Sequence, residues 1–169
     1  MSKRIGLLSD THSYLDPAVF DYFGDCDEVW HAGDVGDASV LDELEAFKPL
    51  RGVYGNIDDT SVRSRLPLNN SFVIENLPVL ITHIGGYPGR YTARVRKLIE
   101  EEKPKLYICG HSHILKVMMD KQRGVLHMNP GACGRHGFHR MRTLLRFAVT
   151  DDRVEDLEVI ELGLRGKID

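Results

Sequence analysis

The chain lacks any apolar run long enough to cross a bilayer. Its longer ones, such as LPVLI at 77–81, fall far short of the roughly 20 residues a spanning helix needs. Cysteine is scarce: Cys26, Cys109 and Cys133 make an odd count with no CxxC pair, which argues against a disulfide framework and against a thiolate zinc site. No sign of charge dominates. A formal net charge of −3 exerts no long-range pull on nucleic acid or an anionic membrane, so any affinity for phosphate must be local. After MSKRIGLL the chain turns polar at Ser9 and Asp10, so no signal-peptide core follows and a cytoplasmic location is expected. Internal repeats, low-complexity tracts and linkers are also missing. What is present is ordinary for a folded protein: 42% hydrophobic and 28% charged residues over 169 positions, a length that fits one domain over 1–169 with a core of its own.

The first third alternates two periodicities. RIGLLSD, DEVWHAGD and LRGVYGN read as buried strands. Between them, 16–26 suits a helix with Asp16 as N-cap, Pro17 at the first position and Gly24 as stop, and 38–50 repeats apolar residues at Val40, Leu41, Leu44 and Phe47 before Pro49. Strand, helix, strand, helix, strand implies a parallel sheet covered by helices. Further on, SFVIENLPVLITH reads as two strands around a turn at 76–78, followed by a helix over 91–104 closed by Pro104. KLYICGH then carries Cys109 as a small buried hydrophobe within a strand. The segments ILKVMMD, GVLHMNP, TLLRFAVTDD and VEDLEVIEL, joined by short polar turns such as 121–124, are expected to form antiparallel hairpins. Two sheets follow, parallel strands early and hairpins late.

Residues that bind metals collect where these strands end. YICGHSH places His111 and His113 one residue apart, and SDTHS does the same with Asp10 and His12. In an extended backbone such pairs point to one side. HAGD places Asp34 after a glycine, YGN places Asn56 after another, and PVLITH ends in His83 before the glycine-rich 85–89. Ligands of open α/β sheets bind beyond the carboxyl ends of the strands, where all seven side chains would converge. Seven exceed the needs of one ion, whereas two ions sharing a carboxylate use them all, with Asp34 as the natural bridge. Imidazole mixed with carboxylate and amide oxygen, without thiolate, favours a transition metal such as Mn²⁺, Fe, Ni²⁺, Co²⁺ or Zn²⁺ over Ca²⁺. Spacing alone does not say which donor serves which ion.

The ordered set D-x-H, G-D, G-N, a lone H and G-H-x-H, spanning Asp10 to His113, resembles the calcineurin-like metallophosphoesterases, and in its small size the YfcE-type phosphodiesterases. The resemblance implies an α/β fold, a four-layer αββα sandwich of two mixed β-sheets flanked by helices. It implies one metal on Asp10, His12, Asp34 and His113 and a second on Asp34, Asn56, His83 and His111, with Mn²⁺ the leading choice. The implied reaction is hydrolysis of a small phosphodiester by a hydroxide bridging the two ions, with no covalent nucleophile on the protein. Many relatives carry a histidine directly after the asparagine. Here Ile57 stands there, which leaves leaving-group protonation unassigned; the small phosphodiesterases that the chain resembles also commonly lack that histidine.

Asp34, Asn56 and Asp58 are the catalytic candidates, Asp58 as an acid positioned to orient Asn56 or His12. The loop NPGACGRHGFHR offers Arg135, His136, His139 and Arg140 to a phosphate or its leaving group. His31 is a candidate support for Asp34, while His127 and Trp30 read as structural. Substrate choice is expected from 84–91 and 131–140. Competing readings are a phosphomonoesterase or nuclease of the same family, and a protein-interaction scaffold on the same fold, as in the retromer subunit that has lost part of its metal site. A dinucleotide-binding module is disfavoured because SDTHS, not G-x-G-x-x-G, follows the first strand. No membrane association and no strong nucleic-acid binding are expected, and homo-oligomerisation is compatible with the sequence.

Overall fold

The computed structural model of the chain describes residues 2–166. Ten strands form two five-stranded sheets. The first holds β1 (Ser2–Leu8), β2 (Glu28–His31), β3 (Leu50–Gly52), β9 (Met141–Thr150) and β10 (Arg153–Leu164), in the order β10-β9-β1-β2-β3. The second holds β4 (Asn69–Ile74), β5 (Leu77–Thr82), β6 (Leu106–Ile108), β7 (Leu115–Asp120) and β8 (Val125–Pro130), in the order β4-β5-β6-β8-β7. Helices α1 (Ala18–Tyr22), α2 (Ser39–Phe47) and α3 (Thr60–Arg63) belong to the first half, and α4 (Ala93–Glu102) joins β5 to β6. Among the described residues no helix is long and apolar enough to cross a membrane.

Strand alternation builds the layers. Ile5 and Leu7 point inward to a cluster with Trp30, Val79, Ile81, Leu106, Ile108 and Phe147, which glues sheet to sheet. Leu8 points the other way and meets Val19, Phe23, Leu41, Leu44 and Val62 from α1, α2 and α3. On the far side, Leu80 and Tyr107 pack against Val95 and Ile99 of α4. Three apolar interfaces separate four layers, so strands such as β1, β2, β5 and β6 are buried on both faces and read as near-continuous apolar runs. Trp30 is core, edge-on to Phe72 and Phe147 at 5.1 and 5.8 Å.

Several local expectations shift. The first helix covers only Ala18–Tyr22, although Asp16 Oδ1 does accept from the Ala18 N–H at 2.9 Å. The β4–β5 turn falls at Glu75 and Asn76, one residue earlier than 76–78, because Ile74 already pairs with Leu77 and Glu75 adopts φ 53°. Cys109 lies just beyond β6, still fully buried. The short α3 went unread, though Asp59 Oδ1 caps it by accepting from the Ser61 N–H at 3.0 Å. The larger correction concerns the late strands. β7–β8 and β9–β10 are antiparallel pairs as expected, but β8 also pairs parallel with β6, and β9 crosses to the other sheet to run antiparallel to β1. Each sheet therefore has three adjacent parallel strands, β1, β2, β3 along one side of the first and β5, β6, β8 in the middle of the second. Pairing partners are non-local and leave no trace in a strand's own alternation.

Candidate metal centre

The parallel strands end together, and the loops leaving β1, β2, β3, β5 and β6 meet there. Asp10, His12, Asp34, His111 and His113 lie beyond the strand ends with φ of 55°, 45°, 56°, 71° and 63°. The extended-backbone argument for the two D-x-H and H-x-H pairs is thus corrected: left-handed backbone, not strand alternation, aims these side chains. Such a conformation costs a non-glycine residue on the order of 1 kcal/mol and persists only where the surroundings hold it. Here a backbone ladder continues past the strands, Asp10 N–H to the Gly33 carbonyl (2.9 Å), His12 N–H to Asp34 (3.1 Å) and Ser13 N–H to Val35 (2.9 Å).

Two groups of donors result. Asp10, His12 and His113 form one, Asp34, His83 and His111 the other, each with its donor atoms within 4.8 Å of one another. Asp10 Oδ2 accepts from the Ser9 hydroxyl (2.6 Å) and the His111 N–H (3.2 Å), which leaves Oδ1 turned to His113 Nε2 at 3.1 Å. Asp34 Oδ1 accepts from the Ile57 N–H (3.1 Å), while Oδ2 lies 3.4 Å from His12 Nε2 and 3.2 Å from His83 Nε2. One carboxylate oxygen thus faces a histidine of each group. Asn56 Oδ1 lies 3.0 Å from His111 Nδ1. His83 Nδ1 must donate to the Ala32 carbonyl at 2.7 Å, so its Nε2 lone pair points into the centre.

These residues fit metal ions. Asp10 Oδ1, His12 Nε2 and His83 Nε2 are buried without a hydrogen-bond partner, a state that needs an explanation in a folded protein. Two donors about 2.1 Å from one shared ion lie about 3.0–3.4 Å apart at tetrahedral or octahedral angles, the spacing found here. Electrostatics agrees. Burial opposes ionisation of Asp10 and Asp34, yet the surrounding imidazoles hold both carboxyls far below the usual range. Burial likewise opposes charge on His12, and the same two carboxylates still lift it to about 9. The pair of acids draws positive charge inward.

Two glycines make room. A side chain at Gly55 would collide with the Asp34 carboxylate, and one at Gly33, already at φ 103°, would run into the His83 ring. Asp58 orients neither Asn56 nor His12 by contact. Its buried carboxylate accepts from the N–H groups of Gly55 (2.7 Å), Gly36 (2.8 Å) and Val35 (3.1 Å), tying the Asn56 loop to the Asp34 loop. His31 does not touch the Asp34 carboxylate. Its Nδ1 accepts from the Gly33 N–H at 3.0 Å and its Nε2–H donates to Thr11 Oγ1 at 3.1 Å, and burial pushes its pKa down to about 4. His127 is buried beside Tyr91.

The 131–140 loop divides. His136 lines the cleft with Asp34, Asn56, His111 and His113 and stacks on the His12 ring at 4.7 Å. The His139 ring stands edge-on to His113 with centroids 5.1 Å apart and bonds the Gly134 carbonyl, while Arg135 turns onto the Tyr14 ring at 4.1 Å, and Arg140 is exposed. Ile57 lines the same cleft as His136. Missed from sequence were Ser9, which holds Asp10, and two arginines, Arg63 and Arg94, in a pocket beside Asn56 and His83. For Arg94 a signal existed, since the positions three and four ahead on its helix are Lys97 and Leu98, not acids.

A mixed sandwich with a histidine and carboxylate centre at the strand ends describes a metal-dependent hydrolase of phosphoesters. Residues 4–152 match the calcineurin-like phosphoesterase superfamily domain, and the chain belongs to that family. It is 34% identical over 133 residues to a probable metallophosphoesterase from Methanothermobacter thermautotrophicus, covering 76% of each chain. Among solved structures, an archaeal phosphodiesterase is similar at 24% identity and TM-score 0.71, over 94% of this chain and 99% of that one. Vps29 from Chaetomium thermophilum shares the fold at 15% identity and TM-score 0.75, over 95% and 97%. Phosphoester hydrolysis with divalent metal is the chemistry that family membership assigns.

Proposed function

We propose that the chain is a metal-dependent phosphodiesterase with a binuclear centre. The observation that carries this is the placement of Asp34 Oδ2 between His12 and His83, one histidine from each donor group. Asp10, His12, Asp34 and His113 would hold one ion, and Asp34, Asn56, His83 and His111 the other, with Mn²⁺ first among Fe, Ni²⁺, Co²⁺ and Zn²⁺. When bound, two such ions supply Lewis acidity toward a phosphate oxygen and a hydroxide for in-line attack on phosphorus. The chain's own part is orientation. Asp58 and His31 lock the loops that carry the donors, Ile57 and His136 border the open side where a diester enters, and no Ser or Cys is required as nucleophile. A diester is chosen over a monoester, and Ile57 supplies no proton to the leaving group of either. The similar archaeal phosphodiesterase supports this choice as a likeness of fold.

The test is hydrolysis of bis(p-nitrophenyl) phosphate beside p-nitrophenyl phosphate by chelator-stripped protein, with and without Mn²⁺, and with Asp34→Asn as control. Diester cleavage restored by metal and absent from the variant is expected. Folded protein that cleaves neither ester with any transition metal would shift the assignment to a protein-interaction scaffold.

A further inference from the structure

Arg51, Arg65, Arg123, Arg142, Arg146 and Arg153 each pair with a carboxylate. Among the described residues Arg4, Arg63, Arg90, Arg94, Arg96, Arg135, Arg140 and Arg165 have no such pair, and of these Arg63 and Arg94 line one pocket of about 330 Å³ that opens beside Asn56 and His83. No acidic residue lines it. Both side chains are nevertheless held. Arg94 Nη1 donates to Asn69 Oδ1 (2.8 Å), and its Nη2 donates to Thr82 Oγ1 (2.9 Å) and to the Ile84 carbonyl (3.0 Å). Thr82 and Ile84 flank His83, so the guanidinium is tied to both neighbours of a residue in the centre. Arg63 Nε donates to the Asp58 carbonyl (2.6 Å), and its guanidinium lies 4.6 Å from the centroid of the Tyr54 ring. Asp58 in turn clamps the Asp34 and Asn56 loops.

Neutral acceptors and an aromatic face fix where each guanidinium sits and leave its charge uncompensated. Two positioned, unpaired guanidiniums are suited to bind phosphate, whose oxygens match their fork of N–H groups. The chain as a whole is negative, so this cationic character is local to one side of the centre. Tyr54 and Leu68 supply an aromatic and an aliphatic wall for the organic group between two anions.

We infer that Arg63 and Arg94 form a second anion subsite that binds a phosphate other than the one cleaved, so that the preferred substrates are phosphodiesters carrying an additional phosphate. The inference rests on the phosphodiesterase reading above and narrows its substrate class. It is tested on metal-loaded protein with two chromogenic diesters that release the same p-nitrophenolate: the p-nitrophenyl ester of thymidine 5′-phosphate, and the same ester bearing a 3′-phosphate.

Wild type is expected to favour the 3′-phosphorylated probe by at least about tenfold in kcat/KM, mainly through KM, the worth of one charge-assisted hydrogen bond to phosphate. Arg63→Gln and Arg94→Gln each reduce that ratio, and the double variant brings it near one. Arg94→Lys, which keeps the charge and loses the fork, falls between. Lys97→Gln, one turn from Arg94, keeps the wild-type ratio; an equal fall there would show a general charge effect and overturn the subsite. Wild type that cleaves both probes equally well also overturns it while leaving the phosphodiesterase intact. Failure to cleave either probe overturns both.

Discussion

Asp58→Ala removes the one carboxylate that joins the loops bearing Asp34 and Asn56. Asp58 is 3% exposed and accepts three backbone hydrogen bonds, from Val35, Gly36 and Gly55. The Gly36 N–H is only partly buried and can reach water, but those of Val35 and Gly55 are buried and would lose their acceptor. A buried donor left unsatisfied costs about 1–3 kcal/mol, so two of them, less some relief from water entering the space, come to about 3 kcal/mol. For a chain of this size each kcal/mol moves Tm by about 2–4 °C, and the variant should melt about 6–12 °C below wild type. Loosening the loops should also weaken metal binding about tenfold or more, since residues that orient donors act on affinity at that level. Thermal melting of chelator-stripped protein reads the first effect and titration with Mn²⁺ the second. A variant melting within about 2 °C of wild type, with unchanged metal affinity, would show that the loops hold themselves and that Asp58 clamps nothing.

Gly55→Ala places a methyl group against the Asp34 carboxylate, so kcat/KM for a diester under metal saturation should fall at least about 100-fold, the effect of displacing a reacting geometry by about 1 Å; near-normal turnover would mean the carboxylate has slack. His31 gives an acid-side prediction. Its folded pKa is depressed to about 4 from 6.5, so the folded state resists a proton that the unfolded state accepts; the contribution is complete above pH 6.5 and is lost as pH falls through 4, about 3 kcal/mol in all. His31→Gln keeps one acceptor and one donor, and urea titrations of this variant between pH 7 and 4 should show a flatter loss of stability than wild type; parallel profiles would refute the assignment. Chelation should lower Tm, and Mn²⁺ at about 100 times its Kd should restore about 2.7 kcal/mol; a Tm indifferent to both would contradict the metal centre.

Much of the fold was legible because its signals are local. Both faces of β1 are buried, which is why RIGLL reads as a continuous apolar run, and the helical spacing of Val40, Leu41 and Leu44 describes the face that α2 buries. The shortened α1 and the unread α3 reflect their length: helices of 5 and 4 residues offer too little periodicity to separate from turns. The site was legible as a list of residues, because few purposes other than metal binding call for Asp, Asn and His directly after successive strands.

By itself, then, the sequence determined the chemistry: which side chains have lone pairs to offer, that thiolates are not among them, and that a histidine is missing at Ile57. It also determined the alternation that makes two sheets with buried faces. Only the tertiary structure decided that β8 inserts beside β6, that left-handed backbone rather than strand alternation aims His111 and His113, and that Arg63 and Arg94 stand unpaired at one edge of the centre. The physical reason is range. Burial periodicity and residue chemistry belong to a segment alone, whereas strand partners, loop conformations and the neighbours of a charge are set by contacts between segments far apart in the chain.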